Sequence, residues 1–387
     1  MQENIYVGLA QPEEYDELIA LLDHVFFIDK ENDRRFLALL PSLYKKQYAP
    51  WKNNYIVRVG GAMKAAVGVY MTELTIAGHP VRMGGIGNVA VHKDARRLGY
   101  MKLAMDAAMQ AMRDQSCDFA ELGGMRQRYG YWGFERGGAM LEVEWNKANL
   151  RHAYPNGLDV RDWRVSEILP SNEQALRDVQ RLIASSPIVS SRNADAFYDY
   201  LCNWASKPHG IYCGDRFSGF FMTDREGHGA HTLHIARGAD IPSVLQVLAD
   251  RLPEDKNTFY LDVPLWDTDM LQLAEKIAES MLFGYAGQYA VFDWLKMLTA
   301  LFDLRAQLGA LADGKLAVQI GGEAFQICVR GGRPEITAAQ AKPDVVLDSK
   351  EAIRFFTAPY YSRRGAIDPA LAGWFPLPLY LYGFDKV

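Results

Sequence analysis

The chain has 387 residues, with 42 Lys+Arg against 47 Asp+Glu for a net charge of −5, and 49% of its residues are hydrophobic. That composition excludes a disordered polymer, and the acidic balance speaks against a nucleic-acid partner, which calls for a basic excess or stripe. At roughly 150 residues per domain, the length predicts two to three domains.

In chain order, Ile5-Tyr6-Val7 predicts a short opening strand, and Pro12-Glu13-Glu14-Tyr15 opens an amphipathic helix reaching Phe27 with acidic residues in its first turn, as the helix dipole favours. Residues 54–59 and 65–76 read as strands joined by a turn at Gly60-Gly61, and 86–91 as a further strand. Residues 98–115 read as a long helix with apolar positions at Leu103, Met105, Ala108, Met109 and Met112, followed by strands at 118–122 and 139–145.

The middle of the chain, 146–295, repeats this mixture with helices at 175–185 and 241–252 and strands at 210–213, 218–223, 231–236 and 258–263. No short repeat is visible, which speaks against solenoids and propellers. The last stretch, 296–387, is entered through a helix over 294–310, with strands at 316–320, 324–329 and 344–347 and a helix at 350–357. It ends in Trp374-Phe375-Pro376-Leu377-Pro378-Leu379-Tyr380-Leu381-Tyr382-Gly383-Phe384, too apolar for a free tail, so burial is expected.

Cys117, Cys202, Cys213 and Cys328 are scattered with no C-x-x-C pair, which predicts neither a disulfide framework nor a zinc site and fits a reducing cytoplasm. Met1-Gln2-Glu3-Asn4 lacks the basic-then-apolar order of a signal peptide. The most apolar helical stretch is interrupted by Lys296, Asp303 and Arg305, so no membrane association is expected. His228, His231 and His234 are three apart; on a strand the middle one points away from the other two, and no metal site is expected. No G-x-S-x-G elbow marks a hydrolase.

The strongest chemical signal is Asn88-Val89-Ala90-Val91-His92-Lys93-Asp94-Ala95-Arg96-Arg97-Leu98-Gly99-Tyr100-Met101-Lys102. An apolar strand ends, a basic turn follows, and Gly99 stands where the long helix starts. A helix N-terminus offers unpaired N–H groups and the positive end of the dipole, Arg96 and Arg97 add charge, and Gly99 lets a ligand approach the backbone. The pattern suits a diphosphate, yet it is neither a P-loop nor a Rossmann turn.

Beyond the next strand comes Arg126-Gln127-Arg128-Tyr129-Gly130-Tyr131-Trp132-Gly133-Phe134. With this second motif the sequence resembles the GNAT superfamily of acetyl-CoA-dependent N-acetyltransferases, whose cofactor loop [Q/R]-x-x-G-x-[G/A] is matched by Arg96, Gly99 and Met101, and whose Tyr-x-x-x-Gly-Phe is matched by Tyr129, Gly133 and Phe134. Met101 departs from the usual Gly or Ala. The Arg96-Arg97-x-Gly99-Tyr100-Met101 loop, Arg126-Gln127-Arg128-Tyr129, Asp313-Gly314-Lys315 and the apolar C-terminal segment narrow the resemblance to Eis-like acetyltransferases.

The resemblance implies a mixed α/β (α+β) fold: an N-terminal GNAT catalytic domain over 1–145, a second GNAT-like domain over 146–295, and a sterol-carrier-protein-like domain over 296–387. It implies that backbone groups of Val89, Ala90 and Val91 pair with the pantetheine arm of acetyl-CoA. Amides of Arg97, Leu98, Gly99, Tyr100 and Met101, with the charges of Arg96 and Arg97, would hold the diphosphate. Tyr129 would protonate the departing thiolate, and the terminal carboxylate of Val387 would act as base, with Asp385 as the competing carboxylate. Phe27 and Asp29 would line the acceptor mouth for a small-molecule amine or lysine side chain, and a homo-oligomer, trimer or hexamer, is expected. The other reading is a non-catalytic binding protein whose last domain holds an apolar ligand or a partner.

Overall fold

The computed structural model describes residues 4–27, 36–223, 230, 232–251, 258–339 and 342–387. Its first run is β1 (Ile5–Leu9), α1 (Tyr15–Phe27), α2 (Phe36–Leu39), α3 (Pro41–Tyr44), β2 (Asn54–Val59), β3 (Ala62–Ile76), β4 (His79–Val91), α4 (Tyr100–Asp114), β5 (Phe119–Leu122), α5 (Arg126–Tyr129), β6 (Glu135–Gly137), β7 (Met140–Asn146) and α6 (Lys147–Ala153). The second is β8 (Trp163–Glu167), α7 (Glu173–Ala184), β9 (Ile188–Ser190), α8 (Phe197–Leu201), β10 (Lys207–Cys213), β11 (Arg216–Thr223), β12 (Thr232–Ile235), α9 (Ile241–Asp250), β13 (Thr258–Pro264), α10 (Thr268–Ile277), β14 (Ser280–Gly284) and β15 (Gly287–Val291). The third is α11 (Trp294–Gln307), β16 (Gly314–Ile320), β17 (Glu323–Arg330), β18 (Arg333–Ala338), β19 (Val345–Leu347) and α12 (Ser349–Thr357).

The class is the mixed α/β one expected. The main sheet runs β1-β2-β3-β4-β5-β15-β6, with β9 also paired to β3. Its centre is parallel at β4–β5 and its flanks are antiparallel. Two further sheets run β12-β11-β10-β8 and β13-β7-β14, and the last stretch builds β18-β17-β16-β19. Three strands cross between the runs, β9 through its pairing with β3. β7 leaves the main sheet to become the centre of the three-stranded one, and β15 returns to fill the place between β5 and β6.

Local chemistry explains the hairpins. Gly60 and Gly61 have φ of 56° and 86°, so both central residues of the β2–β3 turn are left-handed, the geometry that matches strand twist. The β3–β4 turn uses Ala77 and Gly78 in the same way, with φ of 49° and 90°. β4 begins at His79, earlier than the expected 86, because register with β3 holds from Ile76↔His79 onward although Pro80, Arg82, Gly84 and Gly85 hide the apolar pattern. α4 buries Ala104, Met105, Ala108, Met109 and Met112 as one stripe against the sheet. The other sheet face is covered by the last stretch, where Phe119, Met83 and Tyr289 join α11, α12 and the tail residues Leu377, Leu379 and Leu381 in one core. The tail is buried, as its composition requires. Among the described residues, no helix is long and apolar enough to cross a membrane.

Candidate functional site

The main sheet opens at its centre. β4 and β5 pair from Met83↔Phe119 to Ile86↔Leu122, where β5 ends, while β4 continues to Val91. The far end of β4 therefore has β3 on one side only, and its other backbone edge is free to pair with an extended ligand. A bulge marks the point of divergence: Ala66 and Gly68 of β3 face Ala90 and Gly87 of β4, so three steps on β4 oppose two on β3. Asn88 sits in the bulge with a left-handed φ of 43°, a conformation that Asn tolerates better than most residues. It is locked there by buried hydrogen bonds. Tyr44 Oη donates to Asn88 Oδ1 at 2.5 Å, Asn88 Nδ2 donates to Asn54 Oδ1 at 2.8 Å, and Asn54 Nδ2 donates to Tyr70 Oη at 3.2 Å.

A cavity of about 720 Å³ lies beside the open end of β4, lined by Val89, Val91, Arg96, Arg97, Gly99, Tyr100 and Met101, with Val25, Lys102, Arg128 and Trp132. Gly99 is the N-cap of α4, with φ of 85° and no side-chain cap, so the first helical N–H groups are left for a ligand. A Cβ at Gly99 would meet nothing within 4 Å, so it is the backbone conformation, not packing, that calls for glycine. Arg97 is also left-handed, at φ 68°, which costs about 1 kcal/mol or more without a ligand. Leu98, 61% exposed, does not line the cavity, and Ala90 packs on the opposite face with Tyr44 and Tyr70. Asp106 braces the wall, accepting from Trp132 Nε1 at 2.8 Å and from Lys102 Nζ at 2.5 Å.

Tyr129 ends α5, buried in the cluster that holds α4 against the sheet. Burial pushes its phenol above the usual tyrosine range, outweighing the opposing pull of Arg128. The phenol is therefore a protonated donor at neutral pH. It does not line the 720 Å³ cavity itself, although its neighbour Arg128 does.

The C-terminal residues return to β4. A Cβ at Gly85 would lie 2.5 Å from Val387 Cγ2, and one at Gly87 would lie 3.5 Å from the Val387 carbonyl carbon. Glycine at 85 makes room for the tail, whereas a Cβ at 87 would only touch it. Phe384, Asp385, Lys386 and Val387 form one wall of a second cavity, of about 430 Å³, which Ser42, Tyr48, Lys52, Tyr70, Ser190, Arg192 and Tyr200 complete. Asp385 accepts from Ser190 Oγ and from Arg192, whose side chain is 8% exposed against 7% for Asp385. Removing one partner from a pair this buried leaves an uncompensated charge, typically about 3 kcal/mol or more. Phe27 packs against the cluster that contains Val387 and Ala90. Asp29, His228 and His231 lie outside the described residues. His234 is buried and stacked 4.9 Å from Phe220, and burial, with Arg192 adding to it, pushes its imidazole down to about 3. It is a neutral packing residue. Burial likewise pushes the Cys117 thiol up to about 12, which makes it inert.

Sequence reasoning missed the second cavity's far wall. Ser190, Arg192 and Tyr200 carry no local motif; Ser190 and Arg192 reach the site through the pairing of β9 with β3, and Tyr200 through α8, which Lys45 holds at Asp199 at 2.7 Å. It also missed Glu121, a carboxylate within the apolar strand β5 that is 2% exposed.

Comparison with known proteins agrees with this geometry. A family model described as "Acetyltransferase (GNAT) domain" matches residues 7–136, so this part of the chain is a GNAT acetyltransferase domain, the class whose chemistry is acyl transfer. The whole chain shares its fold with solved structures at low identity. A GCN5-related N-acetyltransferase from Kribbella flavida matches with a TM-score of 0.68 at 14% identity, covering 100% of this chain and 99% of that one. A GCN5-related N-acetyltransferase from Anabaena variabilis ATCC 29413 matches at 0.64 and 14%, covering 98% of each. Eis1 from Mycobacterium abscessus matches at 0.63 and 12%, covering 98% of this chain and 99% of the other. No curated protein matches by sequence.

Proposed function

We propose that this protein is an acetyl-CoA-dependent N-acetyltransferase that moves the acetyl group directly to a primary amine of a cationic small molecule or a lysine side chain. The observation that carries the reading is the convergence on β4: the basic, N–H-rich cavity lies at its open end, and the last residues of the chain lie on its glycines. The amides of Gly99, Tyr100 and Met101, with Arg96 and Arg97, suit a diphosphate. The free edge of Val89 to Val91 suits the amide-bearing pantetheine arm, which would extend β4's pairing.

The amine occupies the 430 Å³ cavity, where Asp385 is engaged by Arg192 and Ser190 while Val387 lies at the sheet. An ammonium gives one proton to the Val387 carboxylate. The freed nitrogen attacks the thioester carbonyl, the C–S bond breaks as the thiolate takes the proton of Tyr129, and the second proton that the nitrogen sheds as the amide forms restores the phenol. We assign 146–295 to a second GNAT-like unit and 296–387 to a sterol-carrier-protein-like unit that delivers the tail. The α11–β16–β17–β18–β19–α12 order and the burial of Leu377, Leu379 and Leu381 support that assignment.

The test is release of free thiol from acetyl-CoA across a panel of polyamines, aminoglycosides and lysine peptides. Amine-dependent thiol release with mass gain on the amine is expected. No turnover with any amine and no binding of acetyl-CoA would move the protein to the class of non-catalytic binders.

A further inference from the structure

Glu121 stands at the centre of the main sheet, opposite Gly85 of β4 on one side and Tyr289 of β15 on the other. Its neighbours Ala120 and Leu122 pack towards α4, while Phe119 packs in the core on the opposite face with Met83. Alternation along the strands places Glu121 on the Phe119 face, and Gly85 on the Met83 face, which is the same one. Val387 lies on Gly85. The residue before it, Lys386, sends its ammonium to the Ala286 carbonyl at 2.8 Å, immediately ahead of β15. The tail thus runs from β4 to the start of β15, and the strand between them is β5. Glu121 lies under that crossing. Its Oε2 and the hydroxyl of Tyr289 are both buried without a hydrogen-bond partner among the described residues.

We propose that Glu121 is a positioning residue: its carboxylate holds the Lys386 ammonium by charge and so keeps residues 384–387 in place as the wall of the second cavity. The proposal rests on the reading of that cavity as the acceptor site. Groups near Glu121 are the Tyr289 phenol from β15 and Lys386 from the tail; over Gly85, its partner on β4, Val387 sets its side chain, with its carbonyl carbon over Gly87, while Asp385 is neutralised by Arg192. Burial pushes the Glu121 carboxyl up to about 7, and Lys386 opposes the rise. A raised carboxyl is protonated below that value and an anion above it. The hold on Lys386 is therefore weak in mild acid and forms as pH rises through about 7.

The test compares wild type, Glu121→Gln and Lys386→Met by hydrogen exchange of residues 380–387, corrected for intrinsic rates, between about pH 6 and about pH 8. In wild type the segment is expected to gain protection several-fold as pH rises. In both variants protection stays at the low-pH level throughout. Run beside it, kcat of Glu121→Gln at the higher pH should fall about tenfold with the acetyl-CoA KM unchanged, and the acid limb near neutrality should vanish. Wild-type exchange and pH profile retained in Glu121→Gln, or in a folded Lys386→Met, would overturn the proposal. Exchange that behaves as described in a protein with no acetyl transfer would instead leave the clamp standing and remove the acceptor-site reading.

Discussion

The phenol of Tyr129 and the carboxyl of Glu121 are both perturbed by burial, yet only one was visible before the fold was known. Tyr129 falls in a spaced motif, Tyr-x-x-x-Gly-Phe, whose glycine supplies the left-handed turn at Gly133, φ 88°, that leads into Phe134. Glu121 sits in Asp118-Phe119-Ala120-Glu121-Leu122, where nothing local separates a buried carboxylate from one at a sheet edge. Its burial is made by β15 and the tail, which lie far along the chain. Because burial raises the Tyr129 phenol, it stays a proton donor through neutral pH, and donation is lost only when pH climbs past the usual tyrosine range. Tyr129→Phe is expected to lower kcat by about 100-fold with little change in the acetyl-CoA KM, consistent with loss of one general acid. Steady-state kinetics with acetyl-CoA and the best amine measure this, and an unchanged kcat would remove Tyr129 from the chemistry.

At the scale of elements, the legible parts were those whose geometry is set by neighbours in sequence. The Gly60-Gly61 turn, the amphipathic stripe of α4 and the strand–loop–helix unit around Gly99 were all readable because turn conformation, helical period and N-terminal N–H groups are local properties. The pairing of β15 between β5 and β6, the exchange of β7 into another sheet, and the reach of β9 to β3 were not, because strand partners are chosen by tertiary packing. The early start of β4 was hidden by Gly84, which makes room for Met112, and by Gly85, which makes room for Val387. The loop's own contribution is measurable. Gly99→Val places a β-branched residue at φ 85°, a conformation costing about 1–2 kcal/mol, and should raise the Kd for acetyl-CoA about tenfold by calorimetry. Unchanged affinity in that variant would mean that the α4 N-terminus does not hold the diphosphate.

Across the whole molecule, the main sheet serves as a shared platform. α4 and the basic loop occupy one face and edge, while α11, α12 and the tail cover the other. The burial of the tail was legible from its composition alone. Its destination was implied by resemblance, and the physical trace of that destination is at Gly85, where a Cβ would collide with Val387, and at Gly87, beside the Val387 carbonyl carbon. A site built this way depends on residues from both ends of the chain, so its weakest link is the geometry of the last few residues. The most direct measurement adds a short Gly-Ser segment after Val387 and compares kcat with acetyl-CoA affinity. A fall in kcat of about 100-fold or more with acetyl-CoA affinity near normal is expected, because the proposed base is displaced while the β4–α4 cavity is untouched. Full turnover in the extended protein would contradict it.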